Sequence, residues 1–217
     1  MYSAYVFTNP KGRLSLTIKR LGILGGTFNP PHVGHLILAE TAADELGLDR
    51  VLFVPAGNPP HKYGVPRAAA ERRLAMVQLS IIGNPRFAVS SVDMDRPGPH
   101  YTTDMVKIFQ NHYPHAEIYF LMGSDSLRDL LAWHNPQLLI ELANLVVMQR
   151  PSMYPNLTQL ARELPSLLQR VHFLNAPEIE ISSTAIVALL KANRSVRYSV
   201  CASVLKYIME NRLYVED

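Results

Sequence analysis

A single cysteine, Cys201, among 217 residues excludes an internal disulfide and fits a reducing compartment. It lies in an apolar helical pattern, where a buried core position is the expectation and a nucleophile the alternative. No apolar run reaches the roughly 18 residues of a membrane span, and no charged segment followed by an apolar one opens the chain. The expectation is therefore a cytoplasmic protein with no membrane partner. Charge of one sign is scarce: 21 Lys and Arg against 18 Asp and Glu leave +3. The densest basic cluster, Lys11-Gly12-Arg13 with Lys19-Arg20, is thin. Nucleic acid demands a concentrated basic stripe and is excluded as a partner, whereas a pI near 9.0 suits small anions. Internal repeats and low-complexity linkers are absent too.

What is present is an ordinary globular composition, 48% hydrophobic and 18% charged, in a length that fits one compact domain. Short apolar runs at Leu21–Leu24, Val51–Val54, Phe87–Ser91, Ile118–Leu121 and Leu145–Met148 read as strands. Helical patterns at Val33–Leu46, Glu71–Ile82, Thr102–Asn111 and Ser126–Leu131 separate them. On the first helix Leu36, Ala39, Ala43 and Leu46 share a face, and Gly47 ends it. The fold class is α/β: a Rossmann-like, doubly wound parallel sheet. A C-terminal helical segment closes it at Ser183–Asn193 and Val200–Arg212. Residues 20–217 read as one domain. Residues 1–19 are an extension without an assigned role, with an edge hairpin around Asn9–Gly12.

The first strand runs into Gly25-Gly26-Thr27-Phe28-Asn29-Pro30-Pro31-His32-Val33-Gly34-His35. Two glycines allow a tight turn and close approach of a ligand. The loop feeds a helix N-terminus, whose free N–H groups and dipole favour phosphate. His32 and His35, three apart around Gly34, face one ligand from a single turn. As imidazole donors they suit the charge that builds during nucleotidyl transfer. The loop is neither a Walker loop, lacking Gly-Lys-Ser/Thr, nor the dinucleotide GxGxxG. The alternatives are a structural turn and a zinc site, for which no further ligands are evident.

This HxGH loop resembles that of the nucleotidyltransferase superfamily, and four further blocks resemble bacterial nicotinate-nucleotide adenylyltransferase. They are Val54-Pro-Ala-Gly-Asn-Pro-Pro-His-Lys62, Asp93-Met-Asp-Arg-Pro-Gly-Pro-His-Tyr-Thr-Thr-Asp104, Phe120-Leu-Met-Gly-Ser-Asp-Ser126 with Trp133-His134, and Ile181-Ser-Ser-Thr184. The match runs from about Arg20 to Tyr214. It implies transfer of AMP from ATP to nicotinate mononucleotide, giving deamido-NAD and pyrophosphate, with Mg2+ held mainly by the ATP phosphates and no metal site in the protein. His32 and His35 are then the catalytic pair. Gly25, Gly26, Thr27, Phe28, Gly34, Gly123, Asp125, Ile181, Ser182, Ser183 and Thr184 would hold ATP. Asn58, His61, Lys62, Tyr101, Thr102, Trp133 and His134 would hold the mononucleotide, with amides near Thr102 and His134 on the carboxylate and Trp133 stacked on the pyridine.

Each assignment has a structural rival. Asp125 and the Ser182–Thr184 run are good helix caps, Trp133 and Tyr101 good core residues, and Lys62 a good surface residue. Arg73 and Arg96 read first as structural salt-bridge residues. The family pattern places an arginine where this chain has Val187, which leaves Lys191, one turn on, as a candidate phosphate contact against the plainer reading of a solvated lysine. His100 and Met105 also depart from the pattern. The alternatives are a nicotinamide-mononucleotide or phosphopantetheine adenylyltransferase, or a nucleotide sensor weakened in catalysis. A homo-oligomer is compatible with the sequence.

Overall fold

The computed structural model describes residues 18–57 and 67–214. Asn58, His61, Lys62 and the hairpin expected around Asn9–Gly12 lie outside the described residues. The apolar runs become strands because a strand covered on both faces needs no alternation: β1 (Arg20–Gly26), β2 (Arg50–Pro55), β3 (Phe87–Val89), β4 (Glu117–Gly123) and β5 (Asn144–Met148), joined by a short, partly exposed edge strand, β6 (Val171–Phe173). All pair in parallel, in the order β3-β2-β1-β4-β5-β6. The chain winds outward from β1 to β3, then crosses back to lay β4 on the other side of β1. That reversal opens a crevice at the carboxyl ends of β1 and β4, where such sheets bind ligands.

The helices are α1 (Val33–Glu45), α2 (Ala70–Ser80), α3 (Val92–Asp95), α4 (Thr102–His112), α5 (Ser124–Arg128), α6 (Pro136–Leu142), α7 (Leu157–Glu163), α8 (Leu167–Arg170), α9 (Ser183–Lys191) and α10 (Ala202–Glu210). One core layer joins Leu21, Ile23 and Phe120 to Val106, Phe109 and Leu139; another joins Leu24, Phe53 and Val146 to Leu38 and Ala42. A third packs Met76 of α2 against Ile186 of α9 and Val204 and Ile208 of α10.

The expected first-helix face is displaced: Leu38, Ala39, Ala42 and Ala43 are buried, while Leu36 and Leu46 are only partly covered. Gly47, at φ +58, is the left-handed residue just beyond the cap Leu46, and the Leu48 N–H returns to the Ala43 carbonyl at 3.0 Å. The expected helix Ser126–Leu131 is instead α5 and a separate 3-10 turn, Leu130–Ala132. β3 stops at Val89, two residues early. Cys201 is a half-buried N-cap packed against the third core cluster; its thiol donates to the Ser80 carbonyl at 3.7 Å, and burial raises its pKa, away from the thiolate a nucleophile needs. Among the described residues no helix is long and apolar enough to cross a membrane.

Candidate active site

The loop leaving β1 is shaped by its own side chains. Phe28 has a left-handed backbone (φ 49) and is 1% exposed. A non-glycine residue holds that conformation only where its surroundings over-determine it. Its ring lies against Phe53 at 6.0 Å and edge-on to His35 at 4.9 Å. Gly26 makes room for it, since a Cβ there would come within 3.2 Å of the ring. A side chain at position 26 would press on the Phe28 ring, so the glycine eases the packing of this loop as well as any ligand's approach.

His32 is the N-cap of α1, and the two imidazoles stack at 3.7 Å. The His32 N–H donates to His35 Nδ1 at 3.1 Å, which places the proton of neutral His35 on Nε2. Burial, reinforced by the field of Arg150, lowers the His32 pKa to about 4, so this ring is neutral at pH 7. His32 Nδ1 is buried without a hydrogen-bond partner. The first-turn amides are less available than the sequence implies: Val33 N–H donates to the Ser199 carbonyl at 3.0 Å and His35 N–H to the His32 carbonyl at 3.0 Å. Two of the first-turn amides are therefore committed, and the stacked imidazoles stand beside them as further donor groups.

Gly34 answers to a segment 147 positions along the chain, because a Cβ would stand 2.7 Å from Cγ2 of Ile181. The entry to α9 is held there again by the Ser183 hydroxyl, which donates to the Pro30 carbonyl at 2.8 Å. Ser182 is the N-cap of α9 and accepts from Ala185 N–H at 3.1 Å. The capping reading of this run is therefore realised at Ser182, while Thr184 stays exposed. Lys191 is exposed in the last turn of α9, about 10 Å of helix from Thr184.

Arg150, just past β5, was not found by sequence reading. Its guanidinium bridges Asp125 at 2.8 Å and the Ile181 carbonyl at 2.8 Å, and its backbone N–H donates to the buried Ser124 hydroxyl at 3.0 Å. The available signal was position: the carboxyl end of a parallel strand beside the crevice. Asp125 is consequently an ion-pair partner and not the cap of α5, which is Gly123. Arg96 makes the expected ion pair, with Asp93 at 2.8 Å. Arg73 does not: its partners are backbone carbonyls.

A second group lies where α4 begins. Tyr101 caps Thr102–His112 from an extended backbone, and Arg96 holds its carbonyl at 3.0 Å. The Tyr101 ring stacks on the exposed His134 ring at 3.9 Å and 19°. Trp133 is half-buried and stands edge-on to Phe120 at 6.1 Å, so core packing accounts for part of its surface. Phe120 also lies beneath Gly25, 3.6 Å from where a Cβ would sit, which joins the two groups across the crevice.

Paired imidazoles on a β1–α1 loop, beside an arginine that follows β5 and the entry to a late helix, define a nucleotidyltransferase site. Residues 23–189 match the cytidylyltransferase-like family, to which the chain belongs. Within it, the chain is a member of the nicotinate-nucleotide adenylyltransferases. The probable nicotinate-nucleotide adenylyltransferase of Thermomicrobium roseum is 47% identical over 197 residues, covering 91% of this chain and 92% of the relative. That of Thermus thermophilus is 45% identical over 195 residues, covering 90% and 99%. In fold, the chain is similar to Plasmodium falciparum nicotinic acid mononucleotide adenylyltransferase complexed with NaAD, with a TM-score of 0.75 at 18% identity over 90% of this chain and 97% of that one.

Proposed function

We propose that this protein transfers AMP from ATP to nicotinate mononucleotide, releasing pyrophosphate and forming deamido-NAD, within a single unit spanning residues 20–217. The observation that carries the reading is the stacked His32–His35 pair, its His32 ring neutral at pH 7, on the loop leaving β1 in a member of this family. The acceptor's phosphate oxygen attacks the α-phosphorus of ATP in line. The bond from that phosphorus to the bridging oxygen breaks, and pyrophosphate leaves with the electron pair. The nucleophile arrives anionic, so no covalent enzyme intermediate is required and catalysis is positioning plus charge stabilisation.

His35 donates through Nε2–H, and His32, uncharged, donates without the desolvation cost of a buried cation. Arg150, bound to the Ile181 carbonyl at the entry to α9, supplies the positive charge that Val187 does not. The loop at Gly25, Gly26, Thr27 and Phe28, with Gly34, Gly123, Asp125 and Ile181–Thr184, forms the ATP side. Asn58, His61 and Lys62 with Tyr101, Thr102, Trp133 and His134 form the acceptor side. Asp125 is engaged by Arg150, and magnesium used in the reaction would be held mainly by the ATP phosphates, whose charge it would offset.

Pyrophosphate release on mixing ATP with nicotinate mononucleotide, nicotinamide mononucleotide or phosphopantetheine tests the reading. Release with the first alone supports it. Equal release with the amide relocates the specificity, and release with none leaves a nucleotide sensor.

A further inference from the structure

Arg73, in the first turn of α2, is 1% exposed. A guanidinium is buried at tolerable cost only when its donors are used. Here Nη1 donates to the Thr27 carbonyl at 2.8 Å, Nη2 to Gly57 at 3.2 Å and Nε to Ala68 at 3.2 Å. Thr27 belongs to the loop that leads to His32. Gly57 is where the chain leaves β2, and Ala68 is where it returns to α2. Asn29 reaches the same place from the β1 loop: its Oδ1 accepts from Ala68 N–H at 2.9 Å and from the Tyr214 hydroxyl at 2.9 Å. Both backbone polar groups of Ala68 are thereby held. Gly57 is confined from its other side, since a Cβ would run into the Asp93 carbonyl and the His100 ring.

We infer that Arg73, Asn29 and Tyr214 form a positioning clamp that fixes the chain leaving β2 and entering α2 against the histidine loop, and so aligns the acceptor with the α-phosphorus of ATP. The inference rests on the proposed reaction. None of the three is a catalytic residue; they act through the backbones of Thr27, Gly57 and Ala68. In-line attack loses rate steeply with misplacement, by about 100-fold for roughly an ångström. A clamp therefore shows itself in kcat, with binding of each substrate nearly kept. A buried arginine that only supported the fold would instead lower the folded fraction and leave turnover per folded molecule intact.

The test uses the full chain and the variants Arg73→Lys, Asn29→Ala and Tyr214→Phe. It measures kcat per folded molecule, KM for both substrates and hydrogen exchange over residues 67–72. Arg73→Lys should lower kcat about 30-fold, Asn29→Ala about 10-fold and Tyr214→Phe about 3-fold, with both KM values within about 3-fold. Exchange over 67–72 should quicken in the first two variants. If Arg73→Lys fails to fold, the other two decide. Unchanged kcat in the variants that fold, or kcat loss matched by KM, overturns the clamp. If the natural sequence transfers AMP to no acceptor, the proposed reaction fails instead. Exchange over 67–72 then decides the clamp: quickened exchange upholds it and unchanged exchange overturns it.

Discussion

The two sides of the crevice are built differently. On the side proposed for ATP nearly every group is held by another: Phe28 by Gly26 and Phe53, His35 by His32, the α9 entry by Gly34 and Pro30, and Asp125 by Arg150. On the proposed acceptor side the described residues show a ring pair, half-buried Tyr101 on exposed His134, and a half-buried Trp133 against Phe120. A triphosphate needs charge held in place before it binds, because preorganisation is what makes donors effective in the transition state. A flat pyridine ring needs only a surface to stack on. The ATP side should therefore respond to substitution in rate and stability, and the acceptor side in one substrate's binding.

The sharpest way to break that contrast is at the histidines. His32→Ala and His35→Ala should each lower kcat by about 100-fold or more with the fold kept, the scale of one lost transition-state donor. Near-normal turnover in both would remove the ATP side from catalysis. Gly34→Ala should cost about 1–3 kcal/mol of stability by overpacking against Ile181, and Ile181→Ala in the same chain should recover part of the lost Tm. A Gly34→Ala protein as stable as its parent would show that the two segments do not need to meet this closely.

The same side should be sensitive to acid. The folded-state pKa of His32 is about 4, below its unfolded value of 6.5. The unfolded chain thus takes up a proton first, and stability is lost as pH falls from about 6.5 towards 4. Tm should drop between pH 7 and 5, and His32→Ala should flatten that drop; an unaltered slope would place the acid sensitivity elsewhere. On the acceptor side, His134→Ala should raise KM for nicotinate mononucleotide several-fold, the scale of a stacking contact, and leave KM for ATP unchanged. A shift in the ATP value would blur the division. The smallest effect belongs to Lys191→Ala: at most a 2- to 3-fold rise in KM for ATP, since an exposed charge so far from Thr184 contributes little.

Much of this was legible before any coordinates, for identifiable reasons. Strands β1, β2, β4 and β5 are continuous apolar runs, and the HxGH loop follows the first of them directly. Strand β6 was missed because Val171-His172-Phe173 is a short, partly exposed edge with no apolar run to mark it. Helix α6 was missed although its signals were present: Asn135 caps it by accepting from Leu138 N–H, and Pro136 opens it. Arg150 and the carbonyl partners of Arg73 could not be read, because both depend on loops that only the closed sheet brings together.

The hydrogen bond from Val33 N–H to the Ser199 carbonyl ties residues far apart in the chain, and this gives the site a timetable. During vectorial synthesis the sheet from β1 to β5 emerges early and can fold as it appears. The amide at the head of α1 keeps no internal partner until residue 199 has cleared the ribosome. The sheet, completed by β6 at residue 173, is thus in place before the last contact at the mouth of the crevice can form.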